Sequence, residues 1–137
     1  MQTFLPYEDF ELSAITLDNR RLGKQRVETL QILKSLTDPS YGWKHHPAVV
    51  MWRGYEYWLK RYGLAICDAW IDRGYKDTCK EKISKFNFPQ VEKPWWIGYT
   101  KFHDSHKSNL LRKDPSYYTK YNWQISDNLP YVWPVRN

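Results

Sequence analysis

A charged stripe within residues 17–36, which read LDNRRLGKQRVETLQILKSL, carries the side chains best suited to chemistry. If this stretch is a helix, polar residues at i, i+3, i+4 and i+7 share one face: Arg21, Lys24, Gln25 and Glu28. Apolar residues fall on the opposite side: Leu22, Val27, Leu30 and Leu33. The pattern predicts an amphipathic helix with a single carboxylate at the end of a basic stripe.

Glu28 has two interpretations. It is either an exposed helix glutamate paired with Lys24, which contributes little to stability, or a catalytic carboxylate in a cationic pocket that binds phosphates. In the second case, nearby positive charge keeps the carboxylate ionised, as a base or as a stabiliser of a sugar cation. Arg26 and Gly23 both depart from the helical pattern. A buried guanidinium needs a partner and a helical glycine costs about 1 kcal/mol, so these departures favour an anion-binding site.

The composition indicates a basic, aromatic-rich chain that we expect to form one domain, residues 1–137. Lys and Arg outnumber Asp and Glu by 21 to 15, and the aromatic residues comprise 8 Trp, 11 Tyr and 5 Phe. Such a domain favours a polyanionic partner, nucleic acid first. Cys67 and Cys79 are too few for a disulfide framework, and no secretory leader or apolar membrane-spanning run is evident. We therefore expect a cytoplasmic protein.

Hydrophobic periodicity predicts a mainly α fold, because no stretch alternates strictly enough for a sheet. Residues 1–10 are predicted to be extended and tied into the core, and residues 117–137 form an aromatic tail that wraps the helices. The predicted helices span 11–16 (a short helix or a turn), 18–36 with Asp18 as N-cap, 47–73 with Gly74 as C-cap, 76–86 and 101–112. Gly54 and Gly63 are candidate points for a bend or a break in the third of these.

Histidines mark two further candidate sites. His103 and His106 share a face with Lys107 on the predicted helix 101–112, and a metal pair there would lack further ligands at a common zinc spacing. We predict no metal, and interpret these three residues as donors to phosphates or as a polar surface. His46 precedes Pro47 and is predicted to cap a helix, with an active-site role as the alternative. Both cysteines are interpreted as structural.

Three segments together resemble a known family: LDNRRLGKQRVETLQIL, HHPAVVMWRGYEYWLKRYGLAICDAWIDRGY and FHDSHKSNLLRKDPSYY. They resemble the pyrimidine-dimer DNA glycosylases, the small endonuclease V-type repair enzymes of phages and bacteria. The resemblance covers roughly residues 17–121 and is closest to a phage and bacterial branch that opens with MQTFLP. It implies a single, mainly helical domain in which the N-terminal segment is packed between helices.

The resemblance also implies a chemistry. Family members use the N-terminal α-amine to attack the sugar C1′ of a cyclobutane pyrimidine dimer, release the base and then cut the strand by β-elimination, without a metal or other cofactor. An α-amine suits this task because a useful fraction is unprotonated near neutral pH. A glutamate on the first long helix assists, and it falls on Glu28. The implied partner is double-stranded DNA, bound by a monomer.

The remaining site residues follow from the same resemblance. Arg26 lies one residue off the family's usual Arg-Glu adjacency, because Val27 intervenes, and we keep it as a catalytic candidate. Arg20, Arg21 and Lys24 supply positive charge, and residues 102–112 resemble a DNA-contacting region. The predicted DNA-binding residues are Arg20, Arg21, Lys24, His46, His103, His106, Lys107, Asn109 and Arg112.

The N-terminus departs from the lyase members, which expose a small or polar residue after removal of methionine. Gln2 follows Met1 here, and a side chain of that size usually prevents the removal. The candidate nucleophile is then the Met1 amine itself. Three functions stay open: a glycosylase with AP-lyase activity on damaged DNA, an N-glycosidase acting on a modified base or other nucleoside, and a non-catalytic basic DNA-binding module.

Overall fold

Seven α-helices account for most of the architecture in the computed structural model, which describes residues 1–135. They are α1 (Phe10–Thr16), α2 (Asn19–Thr37), α3 (Pro47–Val50), α4 (Glu56–Asp72), α5 (Cys79–Ser84), α6 (Thr100–Lys113) and α7 (Pro115–Tyr118). A 3₁₀ turn, Thr119–Tyr121, follows α7, and the described residues contain no strand. The prediction of a mainly α fold is confirmed. No helix within residues 1–135 is both long enough and apolar enough to cross a bilayer.

Helix α2 begins where the sequence predicts. The Asp18 carboxylate accepts the Arg21 backbone N–H, which is the hydrogen bond of a helix N-cap. The Tyr118 hydroxyl also bonds to this carboxylate, so α7 is tied to the start of α2. Burial alone would raise the pKa of Asp18, but the hydrogen bonds from Tyr118 and Arg21 outweigh it and lower the pKa. The cap therefore remains ionised and fixes the first turn of the helix.

The predicted helix over residues 47–73 is divided at Gly54, one of its two candidate break points, whereas α4 continues through the other, Gly63. Gly54 adopts a φ of +88°, a left-handed conformation that a helix excludes, and α3 and α4 lie on either side of it. The Glu56 carboxylate accepts the Gly54 N–H at 2.9 Å, which starts α4 anew. His46 caps α3 through Nδ1 and the Ala48 N–H, as predicted.

Two glycines inside helices allow α2 and α4 to pack closely. A Cβ at Gly63 would lie 2.6 Å from the Thr29 methyl group, and a Cβ at Gly23 would lie 2.9 Å from the Trp70 ring. Both distances are shorter than side chains tolerate without rearrangement. The cost of glycine in the helix interior is therefore explained by packing, which brings the two longest helices together.

The burial of α2 differs from the predicted two-sided pattern. Val27, placed on the apolar face, is 44% exposed, whereas Gln25 and Glu28 are only 2% and 8% exposed. The reason is that residues 1–5 lie along the predicted polar face and cover it. The prediction that the N-terminal segment is tied into the core is confirmed, since Gln2 through Leu5 are buried.

The aromatic tail contacts the helices through both rings and backbone. Tyr118 and Trp123 stack with centroids 5.8 Å apart, and the Trp123 indole donates to the Tyr7 hydroxyl at 2.8 Å. Farther along, the Leu129 and Val132 N–H groups donate to serine hydroxyls of α6. These contacts bring Tyr131 to the N-terminal segment, where its ring lies 6.5 Å from that of Phe4.

Candidate active site

The N-terminal segment runs between helices without a strand partner, so side chains satisfy its backbone. Buried backbone groups must be paired, and six groups of Gln2, Phe4 and Leu5 bond to side chains of three helices. The partners are Glu28 and Gln25 from α2, Tyr62 from α4, and His103 and His106 from α6. The first residues of the chain are thereby held in one position.

Gln25 forms the central clamp of this arrangement. Its Nε2 donates to the Gln2 carbonyl at 2.6 Å and to Glu28 Oε2 at 3.1 Å. Its Oε1 accepts the Phe4 N–H at 2.7 Å and lies 2.7 Å from the Tyr62 hydroxyl. A buried amide with all these contacts has one orientation, and it fixes the carboxylate relative to the N-terminal segment.

Glu28 is held directly against the start of the chain. Its Oε2 accepts the Gln2 N–H at 3.0 Å, and its Oε1 lies 3.7 Å from the Lys24 ammonium. The Met1 α-amine is three covalent bonds from the Gln2 nitrogen, so it lies within about 7 Å of the carboxylate. A carboxylate and a primary amine are thus neighbours, the pair needed for amine addition with proton transfer.

A cavity of about 330 Å³ opens over this pair. Its lining consists of Met1, Gln2, Phe4, Arg20, Arg21, Lys24, Gln25, Glu28, Lys113 and Tyr131. Four of these side chains are cationic and one is anionic, so the cavity attracts an anion while keeping a single carboxylate at its base. The volume lies near the lower end of ligand pockets, about 300–1,000 Å³, and suits a single nucleotide unit better than an extended ligand.

Charges around the cavity influence the pKa values of two nearby side chains, His46 and Tyr131. Burial lowers the pKa of His46, the N-terminal positive charge lowers it further, and the Glu28 carboxylate opposes both. Burial raises the pKa of Tyr131, against the influence of the Arg112 and Arg21 cations. Both side chains are therefore neutral at pH 7 and can act as hydrogen-bonding or stacking groups rather than as charges.

A family model described as pyrimidine dimer DNA glycosylase matches residues 1–83. The chain belongs to this family. The match spans more than half of the 137 residues and includes the N-terminal segment, α2 and α4. Neither the curated proteins nor the solved structures gave a match.

This membership makes the protein a DNA glycosylase by family, with DNA as its substrate. The family resemblance of the first two sequence segments is confirmed, up to residue 83. The third segment, residues 102–118, lies beyond the matched range. Its predicted DNA-contacting role is therefore judged from the contacts that its side chains make in the structure.

Several predicted site residues come together in the cationic cavity. Met1, Arg20, Arg21, Lys24 and Glu28 all line it. Arg21 also bonds to Asp18 at 3.2 Å, whereas Lys24 is largely exposed and free to reach a phosphate. His46 is close enough for Glu28 and the N-terminal charge to act on its pKa, while its Nδ1 caps α3.

Arg26 lies away from the cavity. Its Nη1 donates to Asp77 Oδ1 at 2.5 Å, and its guanidinium lies 4.5 Å from the Trp70 ring centroid. Burial would raise the pKa of Asp77, but the Arg26 hydrogen bond prevails and lowers it. The buried guanidinium therefore has its partner within the protein, between α2 and the start of α5, and is not presented to DNA.

The histidines of α6 are inside the protein, which corrects their interpretation as phosphate donors or as a polar surface. His106 is 0% exposed, and its Nδ1 accepts the Leu5 N–H at 2.8 Å. His103 donates from Nδ1 to the Leu5 carbonyl at 2.8 Å and accepts the Gly98 N–H through Nε2. Burial lowers the pKa of both, for His106 to about 3, so both are neutral at pH 7. They position the N-terminal segment.

The other predicted DNA-binding residues of α6 differ in their exposure. Asn109 is buried and donates to the Ser105 and Leu129 carbonyls, so it too is structural rather than a DNA contact. Lys107 is half-buried with its ammonium 4.8 Å from the centre of the Tyr7 ring. Arg112 is exposed and donates to the Asp127 carbonyl at 2.8 Å. Its charge acts on Tyr131, which places it near the cavity edge.

Sequence reasoning missed five cavity residues: Gln2, Phe4, Gln25, Lys113 and Tyr131. Gln25 and Gln2 were not assigned a role, although Gln25 lies on the same stripe as Glu28. Lys113 ends α6 and Tyr131 belongs to the tail, and both reach the cavity only through tertiary packing. Only Gln25 had a local signal, since it stands three residues before Glu28 on the polar stripe.

Proposed function

We propose that this family member excises a damaged pyrimidine from double-stranded DNA and then cleaves the strand as an AP lyase. The observation that carries the proposal is the Glu28 carboxylate, buried at the base of a cationic cavity and hydrogen-bonded to the first peptide nitrogen. Basic side chains at the rim suit the phosphates on either side of an extruded nucleotide.

The proposed reaction begins with the unprotonated Met1 amine. It attacks C1′, the bond between C1′ and the base nitrogen breaks, and the base nitrogen keeps that electron pair and takes up a proton. In a dimer the base stays joined to its neighbour through the cyclobutane ring. Loss of the amine proton and opening of the sugar ring give an imine between the protein and C1′. Removal of a C2′ proton then expels the 3′ phosphate by β-elimination, and water releases the protein from the sugar.

Glu28 serves this sequence in two ways. As a carboxylate it stabilises positive charge that develops on the sugar, and as a base it accepts and returns protons during imine formation. Its fixed hydrogen bonds with Gln2 and Gln25 mean that it does not reorganise during the reaction. The Lys24 ammonium, 3.7 Å away, places a positive charge beside the carboxylate.

The terminal residue is part of the proposal. The Gln2 side chain is buried and its Oε1 accepts the Thr3 N–H at 2.9 Å, which anchors the segment behind Met1. Retention of Met1 leaves its amine free at the cavity, while Gln2 remains an amide donor to Glu28. We propose that the protein acts in this form and as a monomer.

The test is base release from a panel of duplexes, each with one lesion: a cyclobutane pyrimidine dimer, a modified single base or an abasic site. On the dimer the proposal predicts cleavage of the glycosidic bond, measured as base release after photoreversal of the cyclobutane ring, together with strand cleavage. On the abasic duplex it predicts strand cleavage. Release only of a modified base would assign another substrate. Binding without release on any duplex would assign a non-catalytic module.

A further inference from the structure

Trp43 combines exposure with an unusual backbone conformation. Its side chain is 59% exposed, and its φ is +71°, in the left-handed region that bulky residues rarely adopt. Such a conformation costs about 1–3 kcal/mol and persists only where the surroundings impose it. The exposed indole is not part of the hydrophobic core, and its backbone angle is unfavourable, so neither explains a large side chain at this position.

The loop around Trp43 is anchored on both sides. The Ser35 hydroxyl donates to the Gly42 carbonyl at 2.5 Å, directly before the tryptophan. On the other side, the Lys44 ammonium donates to the Ser35 and Asp38 carbonyls at 2.9 and 2.7 Å. The His46 N–H closes the turn by donating to the Trp43 carbonyl at 3.0 Å. These hydrogen bonds fix the backbone of the loop that carries the exposed indole.

A row of aromatic rings connects this indole to the candidate active site. The Trp43 centroid lies 6.1 Å from that of His46, His46 lies 6.0 Å from Trp133, and Trp133 lies 5.5 Å from Tyr131. Tyr131 lines the cavity that contains Glu28. We call these four rings the aromatic row. It runs from exposed surface to the cavity wall.

We propose that Trp43 is a base-stacking site, which receives the face of a DNA base that has lost its stacking partner beside the extruded nucleotide. The choice of a DNA base as occupant rests on the proposed function. It is supported by the continuity of the aromatic row with the cationic cavity, and by the exposure of the indole on a loop whose backbone is anchored. Stacking of a base on an aromatic side chain is sequence-tolerant and strong enough to stabilise an opened duplex.

The test compares two duplexes that need no chemistry. One carries a tetrahydrofuran abasic analogue with 2-aminopurine as the next base on the same strand, and the other carries the same 2-aminopurine with a normal base pair in place of the analogue. We expect the wild-type protein to bind the first duplex more tightly and to quench its 2-aminopurine emission. Trp43→Ala should lose about 5- to 100-fold of this preference and the quenching, whereas Trp43→Phe should keep most of both.

Trp95→Ala is the matched control, because Trp95 is 51% exposed and its ring packs on Tyr99 rather than on the aromatic row. It should leave the preference unchanged. An unaltered preference in Trp43→Ala, or no preference in the wild-type protein, would overturn the proposal. Base release from dimer-containing duplex is measured separately, so a failure of the proposed chemistry is distinguished from a failure of base stacking.

Discussion

Helices α2 and α6 carry similar polar stripes but use them differently. Both stripes contact the N-terminal segment, α2 through Gln25 and Glu28 and α6 through His103 and His106. The α2 stripe continues into an open cationic cavity, whereas the α6 histidines are enclosed and neutral. The first set therefore suits the proposed chemistry, and the second holds the N-terminal segment that takes part in that proposal.

The comparison shows that polar residues on a helix face do not by themselves identify a binding surface. An extended segment buried without a strand partner needs donors and acceptors from its neighbours, and histidine supplies one of each. The α6 stripe meets that need. A role in DNA binding requires in addition that charge remain exposed, as it does at Lys24.

The largest effect should come from removing the α2 carboxylate. Glu28→Gln keeps the size of the side chain but cannot accept a proton or stabilise a sugar cation. Base release measured on a dimer-containing duplex should fall about 10²- to 10⁴-fold, with DNA affinity retained or increased. Glu81→Gln, on the exposed face of α5, is the control and should be silent. Undiminished release by Glu28→Gln would remove the proposed role.

The α6 stripe should respond through stability. His106→Ala leaves the buried Leu5 N–H without an acceptor, which should lower the free energy of unfolding by about 1–3 kcal/mol or more. Urea denaturation measures this, with Lys101→Ala on the exposed side of α6 as control. Unchanged stability combined with weaker DNA binding would instead indicate a phosphate contact.

The pH dependence of stability also tests whether His106 is a buried structural residue. The pKa of His106 is about 3 in the folded protein and near 6.5 when unfolded, so the unfolded state binds the proton first as pH falls. The stability contributed by the neutral ring is complete above about pH 6.5 and decreases progressively toward pH 3. Unfolding free energies at pH 7.5 and 5.0 should differ less in His106→Ala than in the wild type. Equal differences would assign the pH effect to other groups.

The smallest effect should come from the cavity rim. Lys24→Ala should reduce the slope of log affinity against log salt concentration by about one unit, because one phosphate contact is lost. Lys85→Ala, an exposed lysine of the α5 end, should leave the slope unchanged. Equal slopes for wild type and Lys24→Ala would show that this lysine does not contact DNA.

Local signals in the sequence were sufficient for some of these features. Residue type and spacing predict the Asp18 cap, the turn at residues 38–42 that ends α2, and the burial of the N-terminal segment. The structure contains all three features. The sequence also shows that Gly23 and Arg26 depart from the pattern expected of an amphipathic helix. Their reasons, close packing on Trp70 and pairing with Asp77, are tertiary contacts that the sequence does not encode locally.

The errors have a common physical origin. Helical periodicity assigns a polar face to solvent, but the N-terminal segment covers that face of α2 and the tail and N-terminal segment cover that of α6. Glu28 and His106 are buried for this reason. Tyr131 could not be assigned to the cavity, because its position depends on how the whole tail folds back.

The most direct test of the account is the identity of the residue that bonds to DNA. Dimer-containing duplex would be incubated with the protein, the imine reduced with borohydride, and the adduct digested and mapped by mass spectrometry. The account predicts a deoxyribose adduct on the N-terminal amine of the first peptide, absent in Glu28→Gln. An adduct on Lys24 or Lys113, or base release with no adduct on the N-terminal amine, would contradict it.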